Sequence, residues 1–453
     1  MKYQKRPPLT SREIQILILI GFVTVAVLGT LIGADIRISK GLPGGGGFFA
    51  PWNAARLFIY EHADPYGGEP QRLTETTVYG GVAGPGEKPY PVTTPFFILL
   101  TYFPLAAFSD PQQQQSIGSV LNAFSDPATG RGIWMFLNEA ALVGTALLAV
   151  KLIEWQPGRT FYIAYALLSV FGLYSVMALI EGGPAILLGL LYAATLYAYS
   201  RGQDELAGAL LVLTLFAWEI GILFVVLSLW KVFQEKRWRV LAGFGMIFLI
   251  LMVVSLLIYP GWIFPFMIST IATLRASFGT TTSAVLVRLS PSYGEHASQA
   301  MTVLLAILLL YEWAATRAGD ERRFIWAACL TLAVTPLIGF PTEPGNLVVL
   351  VPSLAMIFAA TASRWRMGYW LASLLLLVVL LVPWGFFVRW YWLHEQRGFD
   401  YLFLFGPLFT VAGLYWTRWW FVRPPRTWFD HARSTLSPER RLADSRHSPR
   451  STG

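Results

Sequence analysis

Charge is scarce in this chain. Only 13% of its 453 residues are Asp, Glu, Lys or Arg, against about 25% in an average soluble domain. Cysteine is scarcer still: Cys329 stands alone inside an apolar run, which excludes any intramolecular disulfide. The five histidines, at 62, 296, 394, 431 and 447, are scattered, with no pair at metal-ligand spacing, so no metal site is expected. There is no P-loop and no nucleophile elbow. Nor is there an internal repeat of the kind many transporters show.

What the chain has in abundance is apolar surface. Hydrophobic residues make up 55%, with 18 Trp and a mean hydropathy of +0.53. Long apolar runs recur from end to end, and in lipid such runs must be helical because no water satisfies the backbone. The sequence therefore predicts an all-α, polytopic transmembrane protein. Candidate spans fall at roughly 14–34, 92–108, 132–152, 161–180, 184–200, 206–233, 239–259, 297–316, 323–340, 346–362, 367–388 and 400–418, about twelve in all.

Two of these are irregular. Segment 92–108 is short and holds Pro95 and Pro104, so it either crosses or dips. Segment 206–233 is too long for one straight span, and is either a kinked helix or a re-entrant hairpin.

The formal net charge of +8 does not point to nucleic acid, because Lys and Arg concentrate at helix ends and in the tail. The basic N-terminus, residues 1–13, precedes a run with no small-residue cleavage pattern, which reads as a retained first helix. With that terminus in the cytoplasm, twelve crossings put the basic clusters at 231–239, 317–323 and 363–366 and the C-terminal tail on the same side. The transmembrane domain then covers 14–418. The tail, 419–453, is expected to touch the interface and then become disordered.

The largest extracytoplasmic loop is 35–91, with a second interfacial loop at 260–296. In the first, four glycines precede a helical pattern with Phe48, Trp52, Ala55 and Ile59 on one face and Asn53, Arg56 and Tyr60 on another. That pattern predicts a helix on the membrane surface, apolar side down. "ADPYGG" ends it as a turn, with Asp64 before Pro65 and Tyr66 after it. With the apolar stretch at 260–278, this loop would roof a cavity.

The ordered set "GLPGGGGFFAPWNAARLFIYEHADPYG", the Tyr90–Pro91 pair, "EGGPAILLGLLYAATLYAYSRGQDELAGALLVL" and "EKRWRVLAGF" resembles glycosyltransferase family 87, over most of residues 13–362. The resemblance implies a GT-C-type fold and a polyprenyl-phosphate sugar donor. It also implies a glycan or glycolipid acceptor at the outer face of a prokaryotic plasma membrane. A carboxylate in the first loop would deprotonate the acceptor hydroxyl, and cations or amides would hold the leaving phosphate.

The chain departs from the family pattern at three places. The expected acid slot is Gly47, the turn before the fifth span reads Gly182-Gly183-Pro184, and the element in the sixth reads Ala217-Trp218-Glu219. An acid, an amide and a cation are missing from the slots where they are expected.

Substitutes have to be sought among residues that also have plain structural readings. Asp35 would supply a base if the glycine run folds back, or else sits as a helix-end charge. Glu61 and Asp64 are further acids of the loop, the first readable as a surface charge and the second as a turn cap. Asn53, Arg56, Tyr60 and Tyr66 would line a substrate site, with Arg56 gripping either a donor phosphate or lipid headgroups.

Glu219 lies in an apolar span, where a carboxylate needs a cavity, a cation or a proton. Glu139 shares that predicament, and Glu312 reads as a snorkelling acid near Arg317. Glu343 and Asn346 in "PTEPGN" would reach the outer cavity or form a polar turn. Glu181, under twelve spans, faces the cytoplasm and away from the site. Three readings stand: a hexose-transferring enzyme, a catalytically lapsed relative that binds lipid-linked glycan or a membrane partner, and a transporter or flippase.

Overall fold

A computed structural model of the chain describes residues 11–84, 87–107, 126–275, 280–316 and 321–422. Among these every regular element is helical, and the only β-contact is an isolated antiparallel bridge between Thr280 and Thr342. Among the described residues eight helical segments, Asp204–Glu235 included, are long and apolar enough to cross a membrane, or nine if a bent pair counts as one span. The count of about twelve thus exceeds the helices of spanning length. The expected tail begins at 419, yet 419–422 continue the last helix; the rest of it lies outside the described residues, as do residues 1–10 and 317–320.

The first long helix, α1 (Ser11–Gly41), packs chiefly on α6 (Pro127–Leu152). Between them lie α2 (Gly46–Glu61), α3 (Gly68–Tyr79) and two four-residue helices, α4 (Phe96–Leu99) and α5 (Phe103–Ala106). Pro95 and Pro104 fix where these two begin, since proline lacks the N–H a helix interior requires. The Lys40–Asp126 ion pair, 2.9 Å, brings the start of α6 to the end of α1. Segment 92–108 therefore dips and does not cross.

Next come α7 (Arg159–Phe171) and α8 (Leu173–Glu181), bent by 40° at Gly172, and then α9 (Ala185–Ser200). Segment 204–235 divides into α10 (Asp204–Leu213), a 3₁₀ turn (Thr214–Ala217) and α11 (Trp218–Glu235). As one straight helix it would place its ends about 48 Å apart. Yet Arg237 bonds both Asp204 Oδ1 and the Tyr199 carbonyl, so the segment runs out and back as a hairpin. Its return turns on Ala217, which is extended at φ −128°.

A dip where a span was expected and a hairpin where one span was expected offset each other beyond residue 235. Between the two, the sense of the chain is reversed. The turn at Glu181 therefore lies at the same end as the first loop, opposite to the expectation.

The remaining helices are α12 (Trp238–Ile258), α13 (Ile263–Arg275), α14 (Thr282–Leu289), α15 (Gly294–Ala315), α16 (Glu321–Val334), α17 (Val351–Arg364), α18 (Gly368–Tyr391) and α19 (Gln396–Val422). Small residues let α10 and α12 touch backbone to backbone. A Cβ on Gly208 would stand 2.0 Å from the Val240 carbonyl oxygen, the close approach that drives helix association in lipid.

At the end away from the first loop, cations sit beside acids, Glu154 and Glu321 included. Lys151, Arg201, Arg322 and Trp420 line one depression there, and Arg364 lies over the Trp420 ring. Glu312 is buried, not snorkelling: Arg323 and Arg418 pair with it at 3.2 and 2.9 Å.

The α2 helix forms the core of a hydrophobic cluster and does not lie on a surface. Phe48, Trp52 and Ala55 are buried as the pattern predicts, but so is Asn53 on the polar face, which donates to Thr74 Oγ1 at 3.1 Å. The α13 helix packs against this cluster through Trp262 and Phe266, and Ser269 Oγ donates to the Val92 carbonyl at 2.8 Å. None of its own residues is buried.

Candidate active site

The glycine run and the turn after α8 are held together by one buried cation. Arg131, on α6, is 2% exposed and donates to the carbonyls of Leu42 (2.8 Å), Pro43 (3.3 Å) and Ile180 (2.7 Å). Trp134, one turn on, donates through Nε1 to the Gly182 carbonyl at 2.8 Å. Gly45 caps α2 from the left-handed region, φ 88°, where a side chain would be strained. Gly47 has a steric reason: a Cβ there would stand 2.9 Å from both the Glu181 carbonyl oxygen and the Gly183 nitrogen. No side chain fits between α2 and the turn.

Lys88 enters from the segment after α3, its carbonyl accepting from the Tyr79 hydroxyl at 3.1 Å and its ammonium 5.2 Å from the Tyr90 ring centroid. It pairs with Glu343 Oε1, and Glu181 Oε1 lies 3.8 Å away. That Glu181 oxygen makes no hydrogen bond. Glu343 is set by the 280–342 bridge next to it, and Asn346 donates through Nδ2 to Thr342 Oγ1 at 3.1 Å. Glu219 stands in the first turn of α11, just past Ala217.

These side chains line one cavity of about 210 Å³, whose wall includes Gly47, Lys88, Tyr90, Glu181, Gly183, Ala217, Glu219, Glu343 and Asn346. Lys88 is the only Lys or Arg lining it, against three carboxylates. Burial pulls the Lys88 ammonium down, but the Glu343 and Glu181 charges more than offset it, so the group sits above its ordinary pKa and stays charged. Burial, and then the Glu181 charge, push the Tyr90 phenol up, which keeps it a hydrogen-bond donor. A carboxylate next to a retained cation can accept a proton while the cation balances a leaving anion.

Two larger spaces adjoin. One, about 960 Å³, shares Lys88, Glu181, Glu343 and Asn346 and is walled further by α14 and α18. The other, about 590 Å³, shares Pro89, Pro91 and Thr273 and runs along α13.

Of the residues singled out from sequence, Glu219, Glu343 and Asn346 meet in the small cavity. Tyr66 and Asp64 line the space along α13. There Asp64 Oδ1 accepts from its own turn at Tyr66 N (3.0 Å), and the Tyr66 hydroxyl donates to the Thr94 carbonyl (3.0 Å). Glu61 is exposed at the end of α2. Asp35 is buried at the loop end of α1, its charge felt by Glu139 on α6, and neither lines the cavity. Arg56 lies over the Trp52 ring at 5.7 Å, and Tyr60 donates to the Ala107 carbonyl at 2.5 Å.

Sequence reasoning passed over Lys88 and turned Glu181 the wrong way. The proline pair at 95 and 104 is the signal that rights Glu181, because a dip there reverses the next three spans.

The three departures from the family pattern, Gly47, Gly183 and Ala217 with Glu219, thus converge on a single wall. The family model for glycosyltransferase family 87 matches residues 93–341, more than half of the chain. No curated protein and no solved structure matches it.

Proposed function

The chain belongs to glycosyltransferase family 87, and from that premise we propose that it transfers a hexose from a polyprenyl-phosphate donor to an extracytoplasmic glycan or glycolipid. The observation that carries this reading is a replacement of functions. The acid, amide and cation absent from their expected slots are present in the same cavity as Glu181, Asn346 and Lys88.

In this reading Glu181 accepts the proton of the acceptor hydroxyl. That oxygen bonds to the anomeric carbon as the bond from carbon to phosphate oxygen breaks. The polyprenyl phosphate leaves with the electron pair, and Lys88 exchanges Glu343 for the phosphate. Glu343 and Glu219 remain to accept hydrogen bonds from sugar hydroxyls.

The space along α13, whose apolar side chains are exposed, suits the prenyl chain of a donor arriving from lipid. Lys151, Arg201, Arg322 and Arg364 at the opposite end fit a cytoplasmic face there, with both termini inside and the cavity outside, in a plasma membrane. Glu219 lines this cavity and Glu139 does not, so the transporter reading gains no support from it.

The test is sugar transfer by the full chain in lipid nanodiscs, with labelled polyprenyl-phosphate hexoses and a panel of lipid and glycan acceptors. Glu181→Gln is expected to lower turnover by about 10²–10⁴-fold while donor binding persists. Donor binding without transfer by the native chain would instead identify a lapsed relative, the reading that Gly47 favours. Absence of donor binding would sink both.

A further inference from the structure

The larger space on the far side of the Lys88–Glu181–Glu343 cluster has a different character from the small cavity. Its wall carries Tyr79, Phe387, Trp390, Tyr391 and Phe399, with the amides of Asn346 and Gln396. Phe387 stacks on Tyr391, centroids 5.5 Å apart and planes 9° from parallel, and Trp390 rests against Phe399 at 5.1 Å. Flat aromatic faces next to amides and carboxylates suit a sugar ring, whose C–H face is apolar and whose rim is a belt of hydroxyls.

The charges narrow the class. The lining holds two cations, Lys88 and Arg288, against three carboxylates, Glu87, Glu181 and Glu343. Arg288 is already committed, giving Asp400 Oδ1 bonds from Nε at 2.9 Å and Nη2 at 2.6 Å. Lys88 is held by Glu343 and Glu181. The groove therefore carries a net negative charge and offers no unpaired cation to a second anion.

We infer that this groove is the acceptor subsite and that it takes an uncharged saccharide terminus, not a phosphorylated or otherwise anionic one. A neutral sugar on Trp390 and Tyr391 would present a hydroxyl to Glu181 from the side opposite the donor. Its remaining hydroxyls would donate to Glu343 and Glu87 or meet the amides. An anionic terminus would meet those carboxylates unscreened. The assignment of the bound sugar as acceptor rests on the glycosyltransferase reading; its binding does not.

Equilibrium binding to the full chain in nanodiscs, without donor and repeated in Lys88→Met so that a probe phosphate cannot take the cation assigned to the donor, separates the two. The probes are a neutral free oligosaccharide, the same sugar as an octyl glycoside, and its phosphorylated form. The neutral forms are expected to bind, and the phosphorylated one about tenfold or more weaker. Trp390→Ala should weaken neutral binding by about three- to tenfold, the range of one aromatic contact, while Trp390→Phe stays near native. Preference for the octyl form marks a glycolipid source, and parity marks a free glycan; both support the subsite. Equal or tighter binding of the phosphorylated sugar, or no effect of Trp390→Ala, overturns it. Loss of transfer with saccharide binding intact would count against the enzyme reading alone.

Discussion

Replacing Gly47 by alanine adds one methyl group where the backbone leaves no room. Its Cβ would stand 2.9 Å from the Glu181 oxygen and the Gly183 nitrogen, where ordinary contact begins at 3.4 Å. Neither neighbour is a flexible side-chain tip, so the turn itself must give by about half an ångström, an overpacking cost of about 1–3 kcal/mol. Glu181 rides on that turn. Because a 1 Å misplacement at a reacting centre can cost about 10²-fold, half of that predicts a roughly tenfold loss of turnover.

The assay pairs transfer rate with a Trp-fluorescence melt at matched scan rate, run beside Gly183→Ala, whose Cβ would meet nothing within 4 Å. Gly47→Ala should melt earlier and turn over slowly, and Gly183→Ala should match the native chain in melting. Aspartate at 47 carries the same methylene into the same backbone, so it should impair the protein, not supply the acid. Native melting and native turnover in Gly47→Ala would refute the steric account and reopen Gly47 as a merely vacant slot.

Lys88→Met removes the only cation lining the small cavity and should raise the donor KM by about 10–100-fold, the worth of a charge-assisted contact. An unchanged donor KM in initial-rate measurements would remove Lys88 from phosphate binding. Arg131→Met leaves the Leu42, Pro43 and Ile180 carbonyls without their donor and should cost about 2–4 kcal/mol. A native thermal midpoint would show that the glycine run is held by something else. In a Cys329→Ser background, an impermeant thiol reagent applied to intact cells should label Glu69→Cys and Tyr293→Cys but not Gln203→Cys. Labelling of all three, or of Gln203→Cys alone, would reverse or dismantle the proposed orientation.

Helix identity was legible in the sequence because long apolar runs have one solution in lipid. Direction was harder to read. Direction depends on parity, and parity turned on whether 17 residues around Pro95 and Pro104 crossed or dipped, which composition leaves open. The hairpin at 204–235 was one of two readings of its length, and the bonds of Arg237 to Asp204 and Tyr199 settle it.

Glu219, Glu343 and Asn346 stood out as polar groups in apolar or outward settings, and the cavity collects them. Lys88 did not, because a lysine before Pro89 in a polar loop has no local signature. Its significance comes from Glu343, 255 positions away. Asp64 was legible locally: of its two sequence readings, catalytic acid and turn cap, Oδ1 makes the cap by accepting from Tyr66 N.

The Lys40–Asp126 pair has a consequence for inheritance. Because α1 and α6 meet at that contact, the chain leaves the bundle and rejoins it at nearly one point, and the described residues between, 42–84 and 87–107, form a cassette. Such an insert can be exchanged, lengthened or rewritten between related genes without re-registering any helix that follows. Its obligations to its host are local: carbonyls for Arg131, a glycine at 47, a lysine long enough to reach Glu343, and aromatic faces for Trp134, Trp262 and Phe266. Selection could then change what the cassette presents at the membrane surface while the bundle that carries Glu181 and Glu343 stays as it is.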